Sequence, residues 1–231
     1  PNSAVRYWAV RAVTDSGLWA KLSQNQAAAS QLAGRIVTEC SQVVDGSSPE
    51  VLHLMAKFAG RFATPQAQRL LVQIVDVRIG RYADWSVKYE LTDGAILGVL
   101  CDKLVAGTTP EPELAKRFGL LFSYVMQRYI TGQGTLKTTS ASYLASVMIG
   151  TEEKCLGRLL GTPQAGIRRA VEAGDRDALQ AEHGRLLGAG NQAGALSSKL
   201  NINYGPEGQN QPAPPTLPAR PQGDATALPD Q

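Results

Sequence analysis

Histidine is the scarcest chemistry-bearing residue in this 231-residue chain, occurring only as His53 and His183. A two-histidine metal site needs carboxylate partners close by, and these two residues fall in different helical patterns about 130 positions apart. They read as satisfied or solvated side chains, with no metal ligand among them. Cysteine is nearly as sparse, with Cys40, Cys101 and Cys155 dispersed along the chain. No CxxC or CxxCH spacing occurs, which removes zinc ribbons and c-type haem attachment. Three dispersed cysteines inside helical patterns read as buried free thiols in a reducing compartment. A disulfide between two of them, with the third left free, stays open. Long apolar runs are missing too. The best candidate, Gly119 to Ile130, is interrupted by Ser123, Gln127 and Arg128. It falls short of the ~18 residues that span a bilayer.

The chemistry of catalysis is as thinly represented. No GxSxG occurs and no cysteine lies near a histidine in the sequence, so Ser and Cys nucleophile mechanisms have no support. The acids are scattered rather than paired on a common apolar face, which leaves general acid–base work without a home. Gly132-Gln-Gly134-Thr-Leu-Lys137-Thr138 superficially suggests a phosphate loop. Such a loop requires glycine before the lysine, and a strand before the loop. Here Leu136 precedes Lys137 and a helical pattern precedes the segment, so it reads as a connector with Thr139 or Ser140 capping the next helix. The expectation is no catalytic residue, no metal and no cofactor.

Net charge is +3. From Asn201 onward the chain carries Glu207, Asp224 and Asp230 against Arg220, a net −2, so the remainder carries +5. That is well below the Lys/Arg density of a dedicated nucleic-acid surface.

What is present is helical periodicity, sustained to about Gly188. Ser48-Pro49-Glu50 is a helix start, with Ser as cap, Pro in the first helical position and an acid in the first turn. Val51, Met55, Phe58 and Phe62 follow on one face. Thr64-Pro65 repeats the signal ahead of Leu70, Leu71, Ile74 and Val75. Thr92-Asp93 predicts a third start, before Ile96, Leu97, Leu100 and Leu104. Pro110-Glu-Pro-Glu113 opens a helix whose stripe is Leu114, Phe118, Leu121, Phe122, Val125 and Tyr129. After a Gly/Thr-rich connector, Thr131 to Ser140, separate helices are predicted around Tyr143–Met148 and Cys155–Leu160. Ala/Gly-rich ones follow near Ile167 and Leu186 and are expected to be peripheral. From Asn201 the pattern ends. Seven of the thirteen prolines lie between Pro206 and Pro229, a composition that cannot bury enough apolar area to offset ordering entropy. That segment is expected to be a disordered tail, with PxxP spacings that arise from its composition.

Pro1-Asn-Ser-Ala-Val-Arg-Tyr-Trp-Ala-Val-Arg-Ala-Val13 resembles the first helix of a HEAT repeat, with Val-Arg and small apolar residues facing inward. Ser48-Pro49-Glu50-Val51-Leu52, Asp84-Trp-Ser-Val87-Lys-Tyr89 and Pro112-Glu-Leu114-Ala-Lys-Arg117 look like the starts of looser further units, to about Ile130. The resemblance implies an all-α fold, a short solenoid of helical pairs whose units stack because none buries its apolar face alone. The expected organisation is HEAT-like repeats over 1–130, irregular helices over 131–200 and the Pro-rich tail over 201–231. The start at Pro1, with neither initiator Met nor signal peptide, reads as a C-terminal part of a larger protein whose targeting information lies elsewhere.

These observations favour a non-catalytic scaffold that binds a protein partner. The candidate partner surface is Arg6, Arg61, Arg69, Arg78, Arg81 and Trp85. The alternatives are a nucleic-acid-binding repeat using the same arginines, and an accessory domain of a multidomain envelope or secreted enzyme. Acids interleaved with the arginines, among them Asp76 and Glu90, favour a solvated mixed-charge face over a phosphate-binding stripe.

Overall fold

The computed structural model describes residues 3–14, 17, 19, 21, 26–80, 87–106, 112–132, 138–188 and 192–201. Among them the architecture is all-helical. The helices are α1 (Ser3–Thr14), α2 (Gln26–Val43), α3 (Pro49–Ala59), α4 (Pro65–Gly80), α5 (Val87–Val105), α6 (Pro112–Gly132) and α7 (Thr138–Thr151). A π segment (Glu152–Leu156) joins α7 to α8 (Gly157–Leu160). Then come α9 (Gly166–Glu172), α10 (Arg176–Leu187) and α11 (Ala195–Lys199).

The helix starts follow local chemistry. Pro49, Pro65 and Pro112 each stand first in their helices, where proline's missing N–H costs nothing. The Thr64 hydroxyl accepts a hydrogen bond from the Ala67 N–H at 3.3 Å, and the Asp175 carboxylate accepts from the Ala178 N–H at 2.9 Å. Gly161, at φ 72°, ends α8 in the left-handed region that glycine enters without strain.

Two predicted boundaries move. Thr92-Asp93 is no helix start: α5 begins at Val87, and both residues lie buried in its interior. Their side chains are used across helices, Thr92 donating to the Pro49 carbonyl at 3.0 Å and Asp93 binding Arg78. The two helices expected around Tyr143 and Cys155 are one continuous rod, since the π segment carries α7 into α8 without a break. Nor does Thr139 or Ser140 cap α7, which starts at Thr138 and buries Ser140. Residues 133–137 of the Gly/Thr-rich connector and the expected tail from 202 onward lie outside the described residues.

The helices pack in two layers. α1, α3, α5, α7 and α9 succeed one another in the first, and α2, α4, α6 and α10 in the second. Cross-layer packing joins α3 to α4, α5 to α6, α6 to α7 and α9 to α10. One hydrophobic core runs between the layers from Val10 to Leu196. Ile167, Leu179 and Leu186 are fully buried in it, so the Ala/Gly-rich helices expected to be peripheral share this core. Aromatic packing marks two places. Trp19, Phe58 and Phe62 meet with ring centroids 5.0–5.8 Å apart, and Phe118 stacks on Phe122 at 6.0 Å.

The buried carboxylate of Glu152 in the π segment accepts from the backbone N–H groups of Ile167 and Arg168 at 2.8 and 2.9 Å. This fixes the start of α9 against the bend. Within the second layer Arg117 of α6 binds Asp76 of α4 at 2.6 Å, and Lys103 of α5 donates to the Phe62 carbonyl beyond the end of α3 at 2.8 Å.

Phe118 is fully buried, as its stripe position predicts. Phe118→Ala is expected to lose roughly 3–5 kcal/mol in urea unfolding, the cost of a large core cavity. A loss below ~1 kcal/mol would place the stripe on an open surface instead.

Candidate functional site

The last turn of α4 and the first half of α5 bring opposite charges together in the interior. Arg78 donates from Nε to Asp93 Oδ1 at 2.6 Å and from Nη2 to Oδ2 at 2.9 Å, a two-pronged pairing of planar groups. The residues are 2% and 3% exposed. Glu90 joins them one turn earlier on α5, 5% exposed. Its Oε1 stands 3.7 Å from Arg128 Nε of α6, and its Oε2 has no hydrogen-bond partner among the described residues. Two arginines and two carboxylates thus balance each other where α4, α5 and α6 meet.

Burying a charge costs more than one partner returns unless every lone pair is satisfied. The Asp93 carboxyl shows this balance. Burial pushes it up to about 6, against the pull of the Arg78 guanidinium and with a further push from Glu90.

On the surface beside this cluster lies a groove of about 470 Å³ between α3, α5 and α7. Glu50, His53 and Lys57 line it from α3, Leu91 and Gly94 from α5 and Tyr143 from α7. Leu91, 46% exposed, is one of the few large apolar side chains left open to solvent. Tyr143 donates to the Leu91 carbonyl at 3.2 Å. Gly94 is what lets α7 come this close, because a Cβ there would collide with the Tyr143 hydroxyl. Burial, then the Lys57 charge, hold His53 below its usual pKa, so it is a neutral donor–acceptor at pH 7. Burial and the nearby Asp93 raise Tyr143, which stays a protonated donor. The groove therefore offers an apolar contact at Leu91 ringed by one acid, one ammonium and two neutral hydrogen-bonding groups. That mixture suits an extended or helical peptide segment better than a phosphate or a metal. Among the described residues no cluster of three or more His, Cys, Asp or Glu is placed to hold an ion.

Of the arginines expected to form one surface, Arg61, Arg69 and Arg78 have described side chains. Arg78 is the clearest correction: Asp93 holds it in the core, so it presents nothing to a partner. Arg69 is exposed on α4 in the second layer, and Arg61 is exposed just past the end of α3 in the first. Arg6 falls on α1 but its side chain lies outside the described residues, as do Arg81 and Trp85 altogether. Trp8 is 63% exposed with the Arg11 guanidinium 5.5 Å from its ring centre, whereas Val10 is buried.

Sequence reasoning missed one further contact. Ser123 Oγ on α6 lies 2.9 Å from His183 Nε2 on α10, sixty residues away. Burial lowers the His183 pKa, so the ring is neutral, and no carboxylate is hydrogen-bonded to it among the described residues. A serine–histidine contact without an orienting acid is here a tie between two helices of the second layer. Only the burial of His183, on a helix that reads as polar, could have signalled it.

Comparison with protein-family models, with curated proteins and with solved structures gives no match. The site therefore rests on its geometry alone.

Asp93 yields a pH test with an unusual sign. Its folded pKa lies above the ordinary 3.8, so the folded chain keeps a proton there that the unfolded chain has already lost. The stability of the native protein relative to Asp93→Asn is expected to fall as pH rises from about 4 to about 6, then to level off. Urea unfolding of both proteins across pH 4–8 measures this. A relative stability that grows with pH would mean that Arg78 outweighs burial.

Proposed function

We propose that this chain is a non-catalytic interaction module, a short HEAT-like stack that binds a protein partner along its first layer. Two features support the solenoid reading: helices that alternate between layers from α1 to α7, and the HEAT-like opening segment carried by α1. The observation that carries the binding reading is the groove between α3, α5 and α7. It combines an exposed leucine with neutral and charged hydrogen-bonding groups, and its walls are tied by Thr92 to the Pro49 carbonyl and by Tyr143 to the Leu91 carbonyl. Concave surfaces of stacked helices are where such proteins take up their ligands. Exposed apolar area rimmed by polar groups marks an interface more often than a solvated face. The nucleic-acid alternative loses its centre once Arg78 is spent on Asp93.

The test is photocrosslinking in native extract, with benzoylphenylalanine placed at Leu91 or, as a control, at the exposed Gln73 of α4. A discrete protein adduct is expected from position 91 alone, reduced about tenfold or more when Lys57→Glu inverts the rim charge, the scale of one lost charged contact. Equal labelling from both positions, or adducts only with nucleic acid, would overturn the reading.

A further inference from the structure

Away from the groove, two more large apolar side chains are open to solvent among the described residues, and both stand on α1. Val5 and Trp8, about one helical turn apart, are 61% and 63% exposed. The Trp8 ring is clamped by its neighbours. Its centroid lies 5.5 Å from that of Tyr7, edge to face at 78°. The Arg11 guanidinium stands 5.5 Å from the Trp8 ring centre, and its Nη1 donates to the Tyr7 hydroxyl at 2.8 Å. Trp19 serves the core instead, buried against Phe58 and Phe62 with its indole N–H donated to the Val13 carbonyl at 2.6 Å. A clamped, exposed Tyr–Trp pair suits a polyproline II strand. Proline-rich strands dock on aromatic side chains, and their carbonyls, unbonded within the strand, accept from an indole N–H. Rigid ring and rigid strand lose little freedom on docking.

We propose that this flank of α1 is the docking site of the chain's own proline-rich segment, Pro215 to Asp224, taken up as a polyproline II strand. Three features of the segment select it. Pro215, Pro218, Pro221 and Asp224 recur at every third position, and three residues per turn put all four on one edge of such a strand. With Pro221 on the Trp8 ring, Asp224 stands one turn on, about 9 Å away, within side-chain reach of Arg11. Charge agrees: α1 carries Arg6 and Arg11 and no acid, whereas residues 202–231 carry a net −2 from Glu207, Asp224 and Asp230 against Arg220. Length agrees as well. The chain leaves α11 at the far end of the stack, where α11 packs on α8 and α10. Four steps of the first layer, from α9 to α1, span about 32–40 Å at the usual helix spacing. At about 3.1 Å per residue, Pro215 lies about 43 Å beyond Asn201, whereas Pro206 and Pro212 fall short. The tether raises the local concentration of the segment, so a weak contact suffices to cover the apolar flank.

The experiment uses the full chain with benzoylphenylalanine at Leu217, which lies off the docking edge. The purified protein is irradiated, separated by size under denaturing conditions and mapped by mass after digestion. The expected product has the mass of one chain and joins the peptide holding position 217 to the stretch Tyr7–Arg11. Trp8→Ala should reduce that product about tenfold or more, the scale of one lost aromatic anchor. Trp8 is exposed, so the change leaves the core intact. Asp224→Arg, which sets like charges together, should reduce it about threefold or more. Adducts spread evenly over the helices, adducts centred on the Leu91 groove, products that join two chains, or a yield that Trp8→Ala leaves unchanged would each overturn the proposal.

Discussion

A guanidinium and a carboxylate sunk side by side between helices can be accommodated in very few arrangements, and the Arg78–Asp93 pair imposes that constraint here. Each group alone would cost several kcal/mol to bury. Together they are tolerable only if α4 and α5 sit at one height and one rotation, because the fork of Arg78 meets both oxygens of Asp93 at 2.6 and 2.9 Å. Apolar packing is far more forgiving, since a helix can slide or roll against leucines at modest cost. The pair therefore acts as a register pin. Thr92 fixes the same stretch of α5 to the start of α3 by its bond to Pro49, and Glu90 with Arg128 balances charge toward α6. Four helices from both layers are located by one short stretch of α5, from Glu90 to Asp93.

The rest of the molecule follows from that placement. With α5 fixed, Gly94 admits Tyr143, and α7 settles against α5. The groove is what remains where Leu91 is left without cover. Further along the same interface the π segment turns Glu152 toward the start of α9. A regular α-helix over residues 152–156 would rotate that carboxylate away, so the bulge has a positional role.

Much of the helical layout was legible in the sequence, because local chemistry determines it. Proline at the first helical position, the threonine before Pro65 and the Phe118 stripe state where α3, α4 and α6 begin or which face they bury. The failures share one cause. Asp93 and Thr92 look like caps because small polar residues ahead of an apolar run usually serve the nearest backbone, yet here they serve partners 15 and 43 residues away. Arg78 looked like a surface residue for the same reason, as a buried arginine is identifiable only once its carboxylate is placed. The Ser123–His183 tie is likewise a product of layer packing, and no spacing in the chain announces it. The candidate surface read from the arginines thus loses Arg78 to the core, while the groove residues came together only in three dimensions.

The buried pair specifies arrangement more than it supplies stability. A double-mutant cycle on Arg78→Met and Asp93→Leu, read by urea unfolding, tests this most directly. Each single variant should lose about 3–5 kcal/mol by stranding a buried charge, and the double variant should recover most of that loss. Losses that simply add, leaving the double variant the least stable of the three, would contradict it.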